Sequence, residues 1–462
     1  MKLENYDIVF FIGVGGIGMS ALARWFNQNG YSVCGYDRVA TPLTTQLEQE
    51  GVCIHFDDDV ENIPENVLNM KANTLVVYTP AVPAEHKELQ YLTERGYAVF
   101  KRSEVLGILT HGLFTVAVAG THGKTTTSAM IAHLLRVGGV RVSAFLGGIS
   151  TNYSSNYISA ADSKGKLTVV VEADEYDRSF HTLHPNIAVI TSVDADHLDI
   201  YGDKDELQNS FKDFIKQIIK KGKLIINEKI SALTTDKTDV SITTYGNNRG
   251  QFFASNISMK NGFFNFDLYA ENLTLKSLKL GVPGFYNVEN AVAAIAVALE
   301  CGVKPDLVRQ ALESFKGVKR RFEYIIQTPD LIYIDDYAHH PEEINAFLSS
   351  LRLMYPGKKI TVVFQPHLYS RTRDFAMEFG KSLGHADRVI LLDIYPAREQ
   401  PLEGVTAEII FKNVDAPDKS HWSKEELLEK IADEKVEVVA TIGAGDIDQL
   451  VGLLKSKLTG KK

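Results

Sequence analysis

The sequence predicts an α/β protein of three domains, and three observations carry that prediction. Glycine-rich loops at residues 13–18 and 120–126 each follow an apolar run and precede an amphipathic stretch. The strand and helix pattern restarts at the second loop, and a third alternating series begins near residue 320. Strands alternating with helices build parallel sheets covered on both faces.

In chain order, DIVFFIGV (7–14) reads as a buried strand, MSALARWFNQNG as a helix and YSVCGYD as a second strand. NTLVVYTP and YAVFKR follow as strands, LFTVAVAG restarts the pattern, and TTTSAMIAHLLRVGG is the helix after the second loop. LTVVVEAD and NIAVITSV continue the middle series. Residues 222–282 alternate and are rich in aromatic and β-branched side chains, which predicts antiparallel strands. The helix NVENAVAAIAVALECG closes this domain, and LIYIDDYA, KKITVVFQP, RVILLDIY and VEVVATIG are the strands of the last. The expected boundaries are 1–109, 110–319 and 320–462.

The 462 residues carry 49 Lys and Arg against 58 Asp and Glu, a formal charge of −9, with 45% hydrophobic content. That balance argues against a general nucleic-acid groove or an anionic membrane surface, so any anion site is local. Cys34, Cys53 and Cys301 are far apart in sequence and form no CxxC pair, so neither a disulfide framework nor a structural zinc site is expected. At the N-terminus Lys2 is offset by Glu4 and the apolar run is broken by glycines, so a leader is not expected, and no apolar run reaches the roughly 18 residues of a membrane span. The expectation is a cytoplasmic, soluble protein.

Gly13, Gly15, Gly16, Ile17 and Gly18 form G-x-G-x-x-G between a strand and a helix, and Asp37 follows at the end of the next strand. Glycines let the backbone approach a diphosphate, whose charge the free N–H groups and helix dipole favour. A tight turn without a ligand is the alternative. In the second loop, Gly120, Thr121, His122, Gly123, Lys124, Thr125 and Thr126 make a shortened GxxGKT, because Val118 stands where the usual phosphate loop has glycine. Backbone N–H groups would cradle phosphate, Lys124 would neutralise the β/γ oxygens and the Thr125 hydroxyl would hold Mg2+. Two such loops imply two phosphate-bearing ligands, with ATP at the second.

Glu172, Asp174 and Glu175 end one strand, and His197 lies between Asp196 and Asp199 after the next. Strand C-terminal ends bind ligands in open α/β sheets, which makes Glu172 and His197 candidates for magnesium, although a histidine more often prefers zinc and a lone one is more often a cap or core residue. Asn287 and Asn290 open a helix, where N-cap chemistry is the alternative. Arg320 and Arg321 are compatible with a solvated hinge. DDYAHHP (335–341) and FQPHLYSRTRDF (364–375) bring acid, imidazole, aromatic and guanidinium groups to strand ends.

FIGVGGIGMS, GTHGKTTT, EADEYD, DADHLD, PGFYNVENA, GVKRRFE, DDYAHHP, FQPHLYSRTRD, DIYPARE and GAGD occur in that order along the whole chain. Together they resemble the ATP-dependent muramyl ligases, which build the peptide stem of peptidoglycan, and most resemble the branch that attaches L-alanine to UDP-N-acetylmuramate. The shortened phosphate loop is that family's own form. The resemblance implies a Rossmann-like N-terminal domain, a P-loop ATPase-like central domain with added antiparallel strands, and a Rossmann-like C-terminal domain. It implies that Gly15, Gly16 and Gly18 approach the UDP diphosphate, that Lys124 and Thr125 handle ATP and magnesium, and that Glu172 and His197 hold the metal. Asn290 would meet adenine and Arg321 would reach the nucleotide across the hinge. Asp336, Tyr337, His339, His367 and Arg371 would complete the site and position the amino acid. A monomer or weak homodimer is expected.

Two positions depart from the family pattern: Leu368 where alanine-adding enzymes often have arginine, leaving Arg371 or Arg373 to hold the alanine carboxylate, and Tyr286 where the adenine motif often has histidine. Lys204 and Lys212 are assigned no role. The rival activities are a ligase that returns a ready-made tripeptide to the same UDP-sugar and, from the first loop with Asp37, a nicotinamide-dependent oxidoreductase.

Overall fold

The computed structural model describes residues 2–160, 165–194, 201, 203–234, 239–260, 262–397 and 399–460. The chain divides into two compact units. The first comprises Met1–Asn256, Phe266–Leu278 and Glu289–Lys316, and the second Ile257–Asn265, Lys279–Val288 and Gly317–Lys462.

The first unit opens with a five-stranded sheet of β1 (Ile8–Ile12), β2 (Ser32–Tyr36), β3 (Cys53–His55), β4 (Thr74–Tyr78) and β5 (Ala98–Lys101), in the order β3-β2-β1-β4-β5. All pairings are parallel, and β1 is buried along its whole length, so both of its faces need apolar side chains. The order reverses beside β1, which places the 13–18 loop at a switch point, where open sheets bind ligands.

The second sheet follows from β6 (Phe114–Ala119), β7 (Val142–Ser150), β8 (Ser155–Ile158), β9 (Thr168–Glu172), β10 (Ile187–Ile190), β11 (Lys223–Asn227), β12 (Ser241–Asn247), β13 (Phe252–Lys260), β14 (Phe263–Ala270) and β15 (Leu273–Lys279). Its order is β15-β14-β13-β12-β11-β10-β6-β9-β7-β8, so β6, which feeds the phosphate loop, lies between β9 and β10. One hydrophobic cluster is continuous across residue 110: Val9, Phe11, Leu22 and Phe26 join Ala117, Phe145 and Val171.

The antiparallel expectation for 222–282 needs correction at its start. β11 pairs β12 in parallel, and β12 pairs β13 in parallel through Tyr245–Phe252, Gly246–Phe253 and Asn247–Ala254. Strand alternation reports which face a side chain takes, not strand direction. Direction is set by the connecting turn, where Asn248 (φ 56°) and Gly250 (φ 99°) adopt left-handed backbone.

The second unit holds β16 (Glu323–Gln327), β17 (Ile332–Asp336), β18 (Ile360–Phe364), β19 (Arg388–Leu391), β20 (Asp418–His421) and β21 (Val438–Ile442), in the order β16-β17-β21-β18-β19-β20. Only β16 is antiparallel to its neighbour among these pairings. Tyr333, Val363, Ile390, Val439 and Leu454 form its core. No helix among the described residues is long and apolar enough to cross a membrane.

Candidate active site

The first loop is braced by its own carboxylate. Gly15 N–H donates to Asp37 Oδ2 at 2.7 Å, while Gly13 and Val14 donate to Tyr36 O, which ties the loop to the end of β2. Ile17 and Gly18 begin the helix Ile17–Gln28 after Gly16 as its cap. Over that first turn lies Arg102, so close that a Cβ on Gly18 would overlap its guanidinium; its Nη2 is 3.4 Å from Asp174 Oδ2. A cation over the glycine turn suits a diphosphate, and the motif reading missed it. Its sequence signal is a basic residue at the end of FKR, immediately after β5.

The second loop closes on side chains from the far end of β10. Thr191 Oγ1 donates to His122 O, His122 N–H donates to Ser192 Oγ at 2.9 Å, and Thr121 and Ser192 hydroxyls are 2.9 Å apart. Gly120 has φ 137°, and a Cβ there would collide with Thr191 Oγ1, so this position requires glycine. Gly123 caps the helix Lys124–Val137 with φ 81°, Thr126 is buried in the first turn of that helix, and Asn290 Oδ1 lies 2.8 Å from where a Gly123 Cβ would stand. Asn290, expected to meet adenine, lies beside this loop.

Lys124 Nζ donates to Glu175 Oε1 at 2.8 Å and to Gly120 O at 2.6 Å. Burial pulls this ammonium towards neutrality, but the carboxylates of Glu175, Asp174 and Glu172 outweigh it and hold the pKa above the usual lysine value. Lys124 is therefore cationic, and Glu175 and the Gly120 carbonyl hold its charge in place. Thr125 Oγ1 donates to Glu172 Oε1 at 3.0 Å, and Gly147 N–H donates to Glu172 Oε2 at 2.9 Å. A Cβ at Gly147 would occupy the carboxylate's own space, so this glycine, also missed in the sequence, lets β7 approach Glu172. His197, expected to share the metal, lies outside the described residues with Asp196 and Asp199.

In the second unit a separate cluster forms at the ends of β17 and β18. Asp336, at the end of β17, accepts from Phe322 N–H at 2.7 Å and Ala338 N–H at 2.8 Å. Burial pushes its carboxyl up to about 7, against the opposing pull of Arg321 and the two N–H donors. Burial and the charge of Asp336 likewise raise the Tyr286 phenol well above its ordinary value. Arg320 and Arg321 lie over the Tyr337 ring, 5.1 and 4.9 Å from its centre, so they are not a freely solvated hinge.

Glu343 organises the remainder. It accepts from His339 N–H at 3.0 Å, lies 3.3 Å from His339 Nδ1 and 3.8 Å from Arg321 Nη1. The sequence reading passed over it, although its place four residues after His339, in the first turn of the helix Pro341–Met354, was a usable signal. His339 and His367 rings are 6.2 Å apart, and His367 stacks on Tyr395 at 5.8 Å. Leu368 holds φ 72°, a strained conformation for a leucine, and the short helix Tyr369–Asp374 follows with Arg371 buried in it. Arg373 is exposed and paired with Asp374 at 2.7 Å.

Three family models match: the Mur ligase family catalytic domain over residues 9–112, the Mur ligase middle domain over 118–298, and the Mur ligase glutamate ligase domain over 320–447. A UDP-N-acetylmuramate–L-alanine ligase of Christiangramia forsetii is 50% identical over 99% of this chain and 98% of its own. The crystal structure of a UDP-N-acetylmuramate–alanine ligase from Thermotoga maritima superimposes with a TM-score of 0.82 at 29% identity, covering 98% and 99% of the two chains. A murein peptide ligase from Psychrobacter arcticus shares the fold, with TM-score 0.70 at 23% identity over 98% of each chain.

Proposed function

This chain belongs to the Mur ligase family, and from that premise we infer that it joins L-alanine to the carboxylate of UDP-N-acetylmuramate with the hydrolysis of ATP to ADP and phosphate. The observation that carries the chemistry is the convergence of the Lys124 ammonium with the Thr125 hydroxyl and Glu172 carboxylate at one end of a glycine loop. In water a carboxylate and an amine do not condense, so an oxygen must first become a leaving group. The muramate carboxylate oxygen attacks the γ-phosphorus of ATP, the bond to the β–γ bridging oxygen breaks, and ADP departs. The alanine amine then attacks the acyl carbon, loses a proton, and the C–O bond to phosphate breaks.

Gly15, Gly16, Ile17 and Gly18, held by Asp37, take the UDP diphosphate, with Arg102 adding charge. Backbone N–H groups of the second loop and Lys124 hold the ATP phosphates, and Asn290 meets the adenine side. Thr125 and Glu172 offer hard oxygen donors that fit Mg2+, with His197 completing the set; the ion would neutralise charge on the phosphate oxygens. Arg321 and Asp336 serve the nucleotide, while Tyr337, His339 and His367 orient the amino acid. Its carboxylate falls to Arg371, which is buried in the short helix after Leu368, whereas Arg373 is exposed at the surface. The domains are 1–109, 110–319 and 320–462, and the enzyme works in the cytoplasm as a monomer or weak homodimer, which sedimentation velocity would test.

The tripeptide-adding rival ranks lower because the solved murein peptide ligases match this chain at 23% and 26% identity, against 50% for the alanine-adding relative. A nicotinamide-dependent oxidoreductase would leave the Lys124, Thr125 and Glu172 cluster of the second loop without a role. The test is phosphate release from ATP and Mg2+ with UDP-N-acetylmuramate, comparing L-alanine, glycine, D-glutamate, the tripeptide and no acceptor. Release strongest with L-alanine, with a matching UDP-sugar product by mass, is the expected result. Preference for the tripeptide would reassign the activity.

A further inference from the structure

A buried polar network ties the sheet that carries the second loop to the helix that begins at the first. Asn156, on β8 and fully buried, donates through Nδ2 to Ile17 O at 2.5 Å and to Ser20 Oγ at 2.8 Å, while its Oδ1 accepts from Arg24 Nη1. Arg24 is 2% exposed and grips Glu50 with Nε at 2.8 Å and Nη2 at 2.9 Å. Ile17 is the first residue of the helix after the sugar-site loop, so the amide of Asn156 holds that turn directly. On the other side, β8 pairs with β7 through Ala144–Ile158 and Phe145–Tyr157, and β7 supplies Gly147, whose N–H fixes Glu172 beside Thr125.

Burying a guanidinium and an amide gains little net stability over an apolar pair of the same shape, because desolvation offsets most of the attraction. What directional bonds add is register: an apolar contact would tolerate sliding along the helix, whereas three hydrogen bonds to one amide do not. We propose that Arg24 and Asn156 are positioning residues that fix the diphosphate loop relative to the ATP and metal end, setting the muramate carboxylate at reaction distance from the γ-phosphate. This rests on the ligase reading above. Both side chains are buried and act through the turn they hold. Misplacement of reacting groups by about 1 Å costs on the order of 100-fold in rate even when each ligand still binds.

The test compares wild type, Asn156→Leu and the double variant Arg24→Met/Asn156→Leu, which replaces both buried polar side chains by apolar ones, with Tm reporting whether the fold is kept. The measurements are kcat with L-alanine, separate dissociation constants for UDP-N-acetylmuramate and ADP by calorimetry, Tm, and amide hydrogen exchange over residues 17–21. The expected result for the double variant is a Tm near wild type, unchanged affinities for each ligand alone, kcat lower by roughly 10–100-fold, and faster exchange in the first helical turn. Wild-type kcat in the double variant, or loss of UDP-sugar affinity by the same factor as kcat, would overturn the proposal. An inactive wild type would refute the ligase reading instead, and exchange, which needs no substrate, would then decide on the network: unchanged protection in the double variant refutes it.

Discussion

The two glycine loops follow the same plan of strand, turn and helix, yet they hold their charges differently. In the first, the cation comes from a distant strand end, Arg102, and a carboxylate, Asp37, occupies a loop N–H. In the second, the cation is part of the loop itself, and Lys124 is bonded to Glu175 and the Gly120 carbonyl. The helices behind them differ likewise: one buries Arg24 against Asn156, the other buries His133 between Tyr153 and Ser314. A loop that only binds a diphosphate can borrow its charge. A loop that must stabilise a moving phosphoryl group needs that charge preorganised at fixed distance.

Removing the second loop's cation should separate the two most sharply. Lys124→Ala is expected to lower kcat by about 100–1000-fold or more while calorimetry finds UDP-N-acetylmuramate affinity unchanged; an equal loss of both would erase the distinction. Next, Gly147→Ala forces Glu172 away from Thr125 and should raise the Mg2+ concentration needed for half-maximal activity by about 10–100-fold, measured by magnesium titration. The first loop gives a smaller and opposite split. Asp37→Ala removes a charge-assisted bond worth about 1.5–3 kcal/mol and should raise KM for the UDP-sugar about tenfold, leaving KM for ATP alone.

The smallest effect concerns the helices. Burial lowers the His133 pKa from 6.5 to about 4, so the native state keeps this ring neutral where the unfolded chain would protonate it. The unfolded state then binds more protons, and the contribution to stability is complete above 6.5 and lost as pH falls towards 4. His133→Gln should flatten that acid limb, by at most ~1.4 kcal/mol per pH unit, in Tm measured from pH 7 to 4.5.

Much of this was legible in the sequence because it is local. Strands such as VVVEAD and ITVVF declare themselves by unbroken apolar runs, and GTHGKTTT carries its own mechanics. What could not be read involves partners far apart in the chain: Arg102 over Gly18, Gly147 against Glu172, and Asn156 on Ile17. None of these residues is unusual in its own neighbourhood, and their roles arise only when β5, β7 and β8 are placed. Pairing direction was hidden for a related reason, since β12 and β13 alternate as antiparallel strands do but are joined by a turn that makes them parallel. Glu343 was within reach, being one helical turn from His339.

The central claim is that the carboxylate of the sugar held at the first loop is phosphorylated by the ATP held at the second. UDP-N-acetylmuramate labelled with 18O in the lactyl carboxylate, turned over with ATP and L-alanine, tests it directly by mass analysis of the released phosphate. Transfer of one 18O into inorganic phosphate per amide bond formed is the predicted result; unlabelled phosphate, with the displaced 18O recovered in water instead, would contradict the account.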